Sequence, residues 1–140
     1  LESVHDYIQW LFPTKRRSDF NPLAPVLEDA DVVAFRGSRQ LRERLLRSFC
    51  RILQFYGFEL TENERALEVA RSSSWPLRSP DWLSPGNHNH LRITRILTCL
   101  RVLGLSAHAK VFYKALEHVA REHPGQVTAR TLDIWRTAAG

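Results

Sequence analysis

The segment between Ser38 and Gly57 constrains the fold first, because its apolar residues recur at the spacing of one helical face. That face consists of Leu41, Leu45, Phe49, Ile52 and Tyr56. Ser38 can accept a hydrogen bond from the first helical turn, and Gly57 suits the left-handed position that often follows a helix. The pattern predicts a long amphipathic helix whose apolar side must pack against other elements.

Similar patterns predict further helices, separated by Pro and Gly residues that interrupt the hydrogen-bond ladder. The predicted segments are 1–12, 28–35, 88–103, 106–122 and a last helix after residue 128. Ser106 and Thr128 are the predicted N-caps of the last two. These segments together require a helical core formed by several packed elements.

Residues 58–71 allow two interpretations. Phe58-Glu59-Leu60-Thr61 and Leu67-Glu68-Val69-Ala70 alternate between apolar and polar residues, which favours a short β-hairpin. Thr61 and Glu64 have the spacing of a capping box, which favours a helix. We predict the hairpin. The predicted fold is all-α, a single-domain bundle of about five or six helices with a minor β-hairpin near Phe58–Ala70.

Composition places the chain among ordinary globular domains, with 140 residues, 44% hydrophobic and 25% charged. No apolar run approaches the about 18 residues of a membrane span, so no transmembrane segment is predicted. Cys50 and Cys99 lie in apolar helical patterns and form neither a disulfide framework nor a zinc motif, which favours a reducing interior. The net charge of +5 favours acidic partners.

A dense run of polar residues, Asn87-His88-Asn89-His90-Leu91-Arg92-Ile93-Thr94-Arg95, opens the predicted helix after Pro85-Gly86. A helix start leaves about four backbone N–H groups unpaired. With the two arginines they can hold a phosphate or carboxylate, and aromatic walls beside them could accept a short peptide. The candidate ligand or anion site consists of Asn87, His88, Asn89, His90, Arg92, Arg95 and Trp82.

A structural interpretation of the same run is favoured over the ligand site. Asn87 or Asn89 would cap the helix, and the other polar groups would join it to the first segment. His5, Asp6 and Gln9 are spaced to supply hydrogen-bond partners from that segment, since buried polar groups require them. No metal or other cofactor is predicted, because His88 and His90 are two residues apart and diverge on a helix.

A stripe of arginines on the long helix is the alternative site. Arg39, Arg44, Arg47 and Arg51 could neutralise nucleic-acid phosphates, although no base-reading motif accompanies them and a solvated face is favoured. The chain has no Gly-rich phosphate loop, nucleophile elbow or His-Glu-x-x-His motif. It is therefore not predicted to be an enzyme, and a phosphate-dependent enzyme at the polar run is a weaker alternative.

Several blocks of sequence resemble one known family. They are His5-Asp6-Tyr7-Ile8-Gln9-Trp10-Leu11-Phe12-Pro13, Asn21-x-x-Ala24-Pro25-Val26-Leu27, the run from Asn87 to Leu97, and Thr131-Leu132-Asp133-x-Trp135-Arg136. The first three resemble the conserved domain of the opioid growth factor receptor family, and the last resembles the tail of its short members. The resemblance extends from Leu1 to at least Leu105.

The resemblance implies one conserved domain over residues 1–140, which we expect to lack the family's N-terminal flank. Animal members are described as receptors for the pentapeptide Met-enkephalin at the nuclear envelope and in the nucleus. Short microbial proteins contain similar domains. The implied function is a non-enzymatic peptide-binding domain, with an intracellular location that is nuclear or perinuclear in an animal member and cytoplasmic in a microbial one. The resemblance assigns no peptide-binding residues.

Overall fold

The helix predicted between Ser38 and Gly57 forms in a computed structural model of the chain, which describes Phe12 and residues 26–140. The described helices and strands are α1 (Asp29–Gly37), α2 (Arg39–Tyr56), β1 (Phe58–Glu62), β2 (Leu67–Arg71), α3 (Trp75–Arg78), α4 (Asn89–Val102), α5 (Ser106–Glu122) and α6 (Ala129–Ala139). A 3-10 turn, Ser79–Asp81, follows α3. The predicted all-α fold with a minor hairpin is confirmed. The helix predicted over residues 1–12 lies outside the described residues, apart from Phe12.

The two ends of α2 have the predicted caps. Ser38 Oγ accepts the backbone N–H of Leu41 at 3.2 Å, and Gly57 follows the helix with a φ of 90°. A Cβ at Gly57 would lie 3.0 Å from the Cα of Trp75. Only glycine therefore allows both the left-handed backbone and the close approach of α3 at this position.

The caps of the last two helices follow the prediction in one case only. Thr128 accepts the backbone N–H of Thr131 at the start of α6. The prediction for Ser106 was wrong, because α5 begins at Ser106 itself and Leu105 occupies the N-cap position. Leu105 is buried in the core, so packing rather than a side-chain hydrogen bond determines where this helix starts.

The hairpin pairs β1 and β2 in antiparallel orientation, with Phe58 opposite Arg71 and Glu62 opposite Leu67. Asn63 Oδ1 accepts the backbone N–H groups of Arg65 and Ala66, each at 2.9 Å. This local bonding by the Asn side chain forms the turn between the strands. The capping-box interpretation of this segment is therefore excluded.

The core forms around α4, which packs against α5 and α6, while α5 also covers β2. Aromatic rings from distant parts of the chain meet there at edge-to-face or tilted angles. They belong to Phe49, Tyr56, Phe58, Trp82 and Phe112, whereas the Trp135 ring packs against His90. The ring of Phe58 in β1 contacts those of Phe112 in α5 and Trp82. Because large rings bury much apolar area, these contacts hold the hairpin against the helices.

Arginine side chains hold the carboxyl ends of three helices. Arg36 Nε donates to the carbonyl of Val102 at the end of α4, at 2.9 Å. A guanidinium nitrogen of Arg42 donates to the carbonyl of Phe35 in α1 at 3.3 Å. Arg101 Nε donates to the carbonyl of Ala138 in α6 at 2.8 Å. The carbonyls of Val102 and Ala138 are among the last ones of their helices, which lack an intrahelical partner, whereas that of Phe35 also accepts the backbone N–H of Ser38.

Candidate functional site

Asn89, in the first turn of α4, is fully buried, and its side chain makes four internal hydrogen bonds. Its Nδ2 donates to Asn87 Oδ1 at 3.0 Å and to the carbonyl of Asp81 at 3.4 Å. Its Oδ1 accepts the hydroxyl of Tyr56 at 3.4 Å and a guanidinium N–H of Arg92 at 3.2 Å. The amide therefore joins α4 to α2 and to the loop before it.

His90 is also buried and has an internal partner for its ring. Its Nε2 lies 2.9 Å from the carbonyl of Trp82. The Nε1 of Trp135 donates to the carbonyl of His90 at 3.0 Å, and the two rings pack edge to face with their centres 5.4 Å apart. Burial lowers the pKa of His90, and the hydrogen bond with Trp82 opposes this lowering.

Trp82 belongs to the core rather than to an open wall. Its side chain is 0% exposed, and its Nε1 donates to the carbonyl of Tyr56 at 2.9 Å. Its ring packs against those of Phe58 and Trp75. A ligand could reach this ring only if the surrounding aromatic side chains moved.

Arg95 connects α4 to the one described residue of the first segment. Its Nε donates to the carbonyl of Phe12 at 2.8 Å, and the Phe12 side chain is fully buried. This contact places the end of that segment against α4. The predicted polar partners from the segment, His5, Asp6 and Gln9, lie outside the described residues, so their network with α4 stays a prediction.

The sequence run at the start of α4 thus divides into enclosed and accessible groups. Asn89 and His90 are enclosed, whereas His88 is exposed and Asn87 and Arg92 are half-buried. His88 occupies the N-cap position and makes no side-chain cap bond, while Asn87, one residue earlier, accepts the backbone N–H of Asn89 through its Oδ1 at 2.9 Å. An anion site here would have to use mainly the accessible groups, and it stays a prediction.

The arginine stripe of α2 lies on the surface. Arg39, Arg44, Arg47 and Arg51 are all exposed. Arg39 forms an ion pair with Glu43 at 3.0 Å. Nucleic-acid binding by this face stays a prediction, since exposure alone is also the property of a solvated helix face.

A groove that sequence reasoning did not anticipate lies between β2 and α5. Its volume is about 690 Å³, within the usual range of ligand sites. The residues along it are Phe58, Ala66, Leu67, Glu68, Val69, Ala70, Arg71, Val111, Lys114, Ala115, His118, Val119 and Glu122. The helical spacing of Val111, Ala115 and Val119 resembles a core stripe, but Val111 and Ala115 are only half-buried.

An ion-pair cluster occupies one end of the groove. Arg71 donates to a carboxylate oxygen of Glu122, and His118 Nε2 lies 2.8 Å from the other oxygen. The Arg71 guanidinium also lies over the Trp75 ring, 4.6 Å from its centre. The hydrogen bond from Arg71 lowers the pKa of Glu122. This end therefore carries a carboxylate that is ionised at neutral pH.

The two thiols are poorly suited to chemistry. Cys99 is fully buried, and burial raises its pKa to about 12. Burial, and to a smaller extent the charge of Glu62, raises the pKa of Cys50. Thiols become nucleophiles when their pKa falls. Among the described residues, no group of His, Cys, Asp and Glu side chains is arranged to hold a metal ion.

His108 in α5 is the other histidine with a perturbed environment. Both ring nitrogens are buried and have no hydrogen-bond partner within the described part of the chain. The ring packs edge to face against Phe49, with the centres 6.4 Å apart. Burial lowers the pKa of His108, while the nearby Glu62 carboxylate raises it by a smaller amount.

These two histidines predict that stability falls in mild acid. Burial lowers the pKa of His90 and His108 in the folded protein, whereas in the unfolded chain both have a pKa of about 6.5. The unfolded state therefore binds more protons as the pH falls, and the free energy of unfolding should decline from about pH 7 towards pH 5. Urea denaturation at stepped pH values measures this decline.

The variant His108→Phe is the control for the pH prediction, because it keeps a ring against Phe49 but removes one titrating group. Its free energy of unfolding should depend less on pH over the same range than that of the wild type. An equal decline in both proteins would show that His108 does not contribute.

A family model, described as the opioid growth factor receptor conserved region, matches residues 1–139. The chain belongs to the opioid growth factor receptor family. No solved structure matches it.

Over Phe12 and residues 26–140, no helix combines the length and the apolar character that crossing a bilayer requires.

Named relatives of this opioid growth factor receptor family member are much longer proteins. The chain is 45% identical to the opioid growth factor receptor of Rattus norvegicus over 75% of its own length and 18% of the relative's. It is 40% identical to that of Homo sapiens over 99% of its length and 20% of the relative's. Opioid growth factor receptor-like protein 1 of Mus musculus is 35% identical over 86% of the chain and 25% of the relative's length. The chain thus spans a quarter or less of these relatives.

Proposed function

We propose that this chain is a non-enzymatic peptide-binding domain. The groove between β2 and α5 is the observation that carries the proposal, because its volume of about 690 Å³ suits a peptide of a few residues. The names of the relatives support it, since the matching proteins from Rattus norvegicus and Homo sapiens are called receptors. An opioid growth factor such as Met-enkephalin is the first ligand to consider.

The groove is a better candidate than the start of α4. The side-chain hydrogen bonds of Asn89 are all made within the protein, and Trp82 is fully buried. Binding there would first have to break a buried polar network, which is costly. The groove needs no such rearrangement, because Val111 and Ala115 are already half-exposed along it.

The groove also lacks the groups expected of an active site. No Ser, Thr, Cys or Tyr side chain is among the described residues that line it. Glu122 is paired with both Arg71 and His118, so this carboxylate is engaged in ion pairs. The arrangement suits recognition of a ligand more than bond making, which requires an activated nucleophile or a poised acid and base.

A variant that fills the groove tests the proposal. Ala115 lies on its floor, so Ala115→Trp should weaken the binding of Met-enkephalin by at least about tenfold because the indole occupies the ligand's space. Isothermal titration calorimetry measures the affinity. Ala107→Trp is the matched control, since Ala107 is exposed on the same helix and does not line the groove.

The outcomes separate the candidate sites. Binding that survives Ala115→Trp but is lost in His88→Ala would move the site to the start of α4. Binding of nucleic acid that weakens steeply with salt and requires Arg44 and Arg47 would favour the alternative on α2. Absence of any heat with the wild-type protein would contradict a role in binding this peptide.

A further inference from the structure

The outer edge of β2 has backbone groups with no partner. The bonds from Ser72 N–H to the Gly57 carbonyl and from Asn63 N–H to the Ala66 carbonyl fix which residues of the hairpin are hydrogen-bonded pairs. In an antiparallel ladder these pairs alternate. Glu68 and Ala70 therefore bond to β1. The N–H and C=O groups of Leu67, Val69 and Arg71 point away from it, and they have no hydrogen-bond partner among the described residues.

The groove runs along this same edge. All six consecutive residues from Ala66 to Arg71 line it. Successive side chains of a strand point to opposite faces, so a groove on one face could meet only every second residue. Contact with all of them indicates that the groove includes the edge of the strand, where the unpaired backbone groups of β2 lie. Phe58 of β1, opposite Arg71, lines it as well.

The opposite wall of the groove is one side of α5 with two parallel rows of residues. Val111, Ala115 and Val119 recur every four residues and form an apolar floor. Lys114, His118 and Glu122 recur at the same interval and form a polar rim. A strand in this groove would direct alternate side chains towards the floor, as in peptides that add to a sheet edge beside a helix.

Among the described residues, the groove has an unpaired positive charge near one end, whereas the charges at the other end are paired with one another. Lys114 is exposed and forms no ion pair within residues 26–140. Glu122 lies beside Arg71, the last residue of β2. Glu62, which pairs with Leu67 at the start of β2, is close enough to His108 in the first turn of α5 to influence its pKa. Strand and helix therefore run in the same direction, with Lys114 nearer the start of β2.

We propose that the edge of β2 binds a short extended peptide as a third, antiparallel strand, with the peptide's carboxylate at Lys114. This mode rests on the proposed function and specifies how the same groove would act. Antiparallel addition reverses the chain direction relative to β2, so the peptide's carboxyl end meets the positive end of the rim. Lys114 and Glu122 are eight residues apart on α5, about 12 Å along the helix axis, and the first and last Cα atoms of a five-residue strand are about 14 Å apart. A pentapeptide therefore suits the length of the rim.

The first test uses N-methylated forms of Met-enkephalin, which leave the protein unchanged. In an added strand only alternate N–H groups of the peptide face β2. Methylation at the second and fourth residues, or else at the third and fifth, should weaken binding by about tenfold or more. The other pair should have little effect. Calorimetry with each singly methylated peptide measures the pattern.

Amide hydrogen exchange locates the peptide on the protein. In the free protein the amides of Leu67, Val69 and Arg71 should exchange faster than those of Glu68 and Ala70, which are bonded to β1. Saturating peptide should slow the first group and leave the second unchanged. The bonded amides are thus an internal control for general stabilisation.

The direction of the peptide is tested by charge. Lys114→Glu should weaken binding of the free-acid peptide by about three- to tenfold, the range expected for reversing one exposed ion pair. It should not weaken binding of the peptide amide, which lacks the carboxylate. Lys110→Glu is the matched control, because Lys110 is exposed on the same helix but does not line the groove.

The outcomes distinguish the binding mode from the function. A peptide that binds with no alternation and no protection of the edge amides would overturn strand addition and leave peptide binding intact. A wild-type protein that does not bind the pentapeptide would overturn both. Protection of the edge amides that rises with protein concentration, without peptide, would assign the edge to a second copy and overturn the proposal.

Discussion

Replacing Asn89 with alanine is expected to lower the free energy of unfolding by about 3 kcal/mol. The amide is fully buried and makes four side-chain hydrogen bonds, of which each contributes about 1 kcal/mol when both partners are neutral. The variant removes these bonds and leaves a small polar cavity among Tyr56, Asn87 and Asp81. Urea denaturation measures the loss, which should also lower the melting temperature by about 10 °C.

Gln54→Ala provides the control, because Gln54 is an exposed residue of α2 and its replacement should change stability by less than about 0.5 kcal/mol. A loss of less than about 1 kcal/mol in Asn89→Ala would contradict the network. It would mean that water or a rearranged side chain satisfies the partners of Asn89.

Gly57→Ala is expected to be about as damaging, with a loss of about 3 kcal/mol. The φ of Gly57 is 90°, a conformation that costs an alanine roughly 1–2 kcal/mol. In addition, the new Cβ would lie 3.0 Å from the Cα of Trp75. Because that atom belongs to the backbone, α3 would have to move away from the junction of α2 and β1.

Gly86→Ala separates these two contributions. Gly86 has a φ of 68°, but a Cβ there would meet no atom within 4 Å. Its replacement should cost only the backbone term of about 1 kcal/mol. Thermal unfolding of the two variants provides the comparison, and equal losses would show that the contact with Trp75 relaxes freely.

The parts of the fold that the sequence predicts are those determined locally. The limits of α2 follow from its apolar period, the Ser38 cap and Gly57, and the hairpin follows from two alternating runs. In each case residues within a few positions of one another determine the backbone. Leu105 marks where this reasoning fails, because its burial in the core decides the start of α5.

The candidate sites depend on tertiary packing and are harder to predict. The polar run at the start of α4 left both a ligand site and a structural network open, and it could not show that Asn89 and His90 are enclosed. The sequence did not predict the groove, because its residues look like core residues. Val111 and Ala115 have the period of core residues, and only the position of β2 leaves them half-exposed.

The arginines that cap helix ends also bind together parts of the chain that are distant in sequence. Arg36 bonds to a carbonyl 66 positions later, and Arg101 to one 37 positions later. As a result, α1 secures the end of α4, and α4 in turn secures the end of α6. Fraying of one terminus removes a partner from the next, so the bundle should lose its helices together in a single cooperative transition.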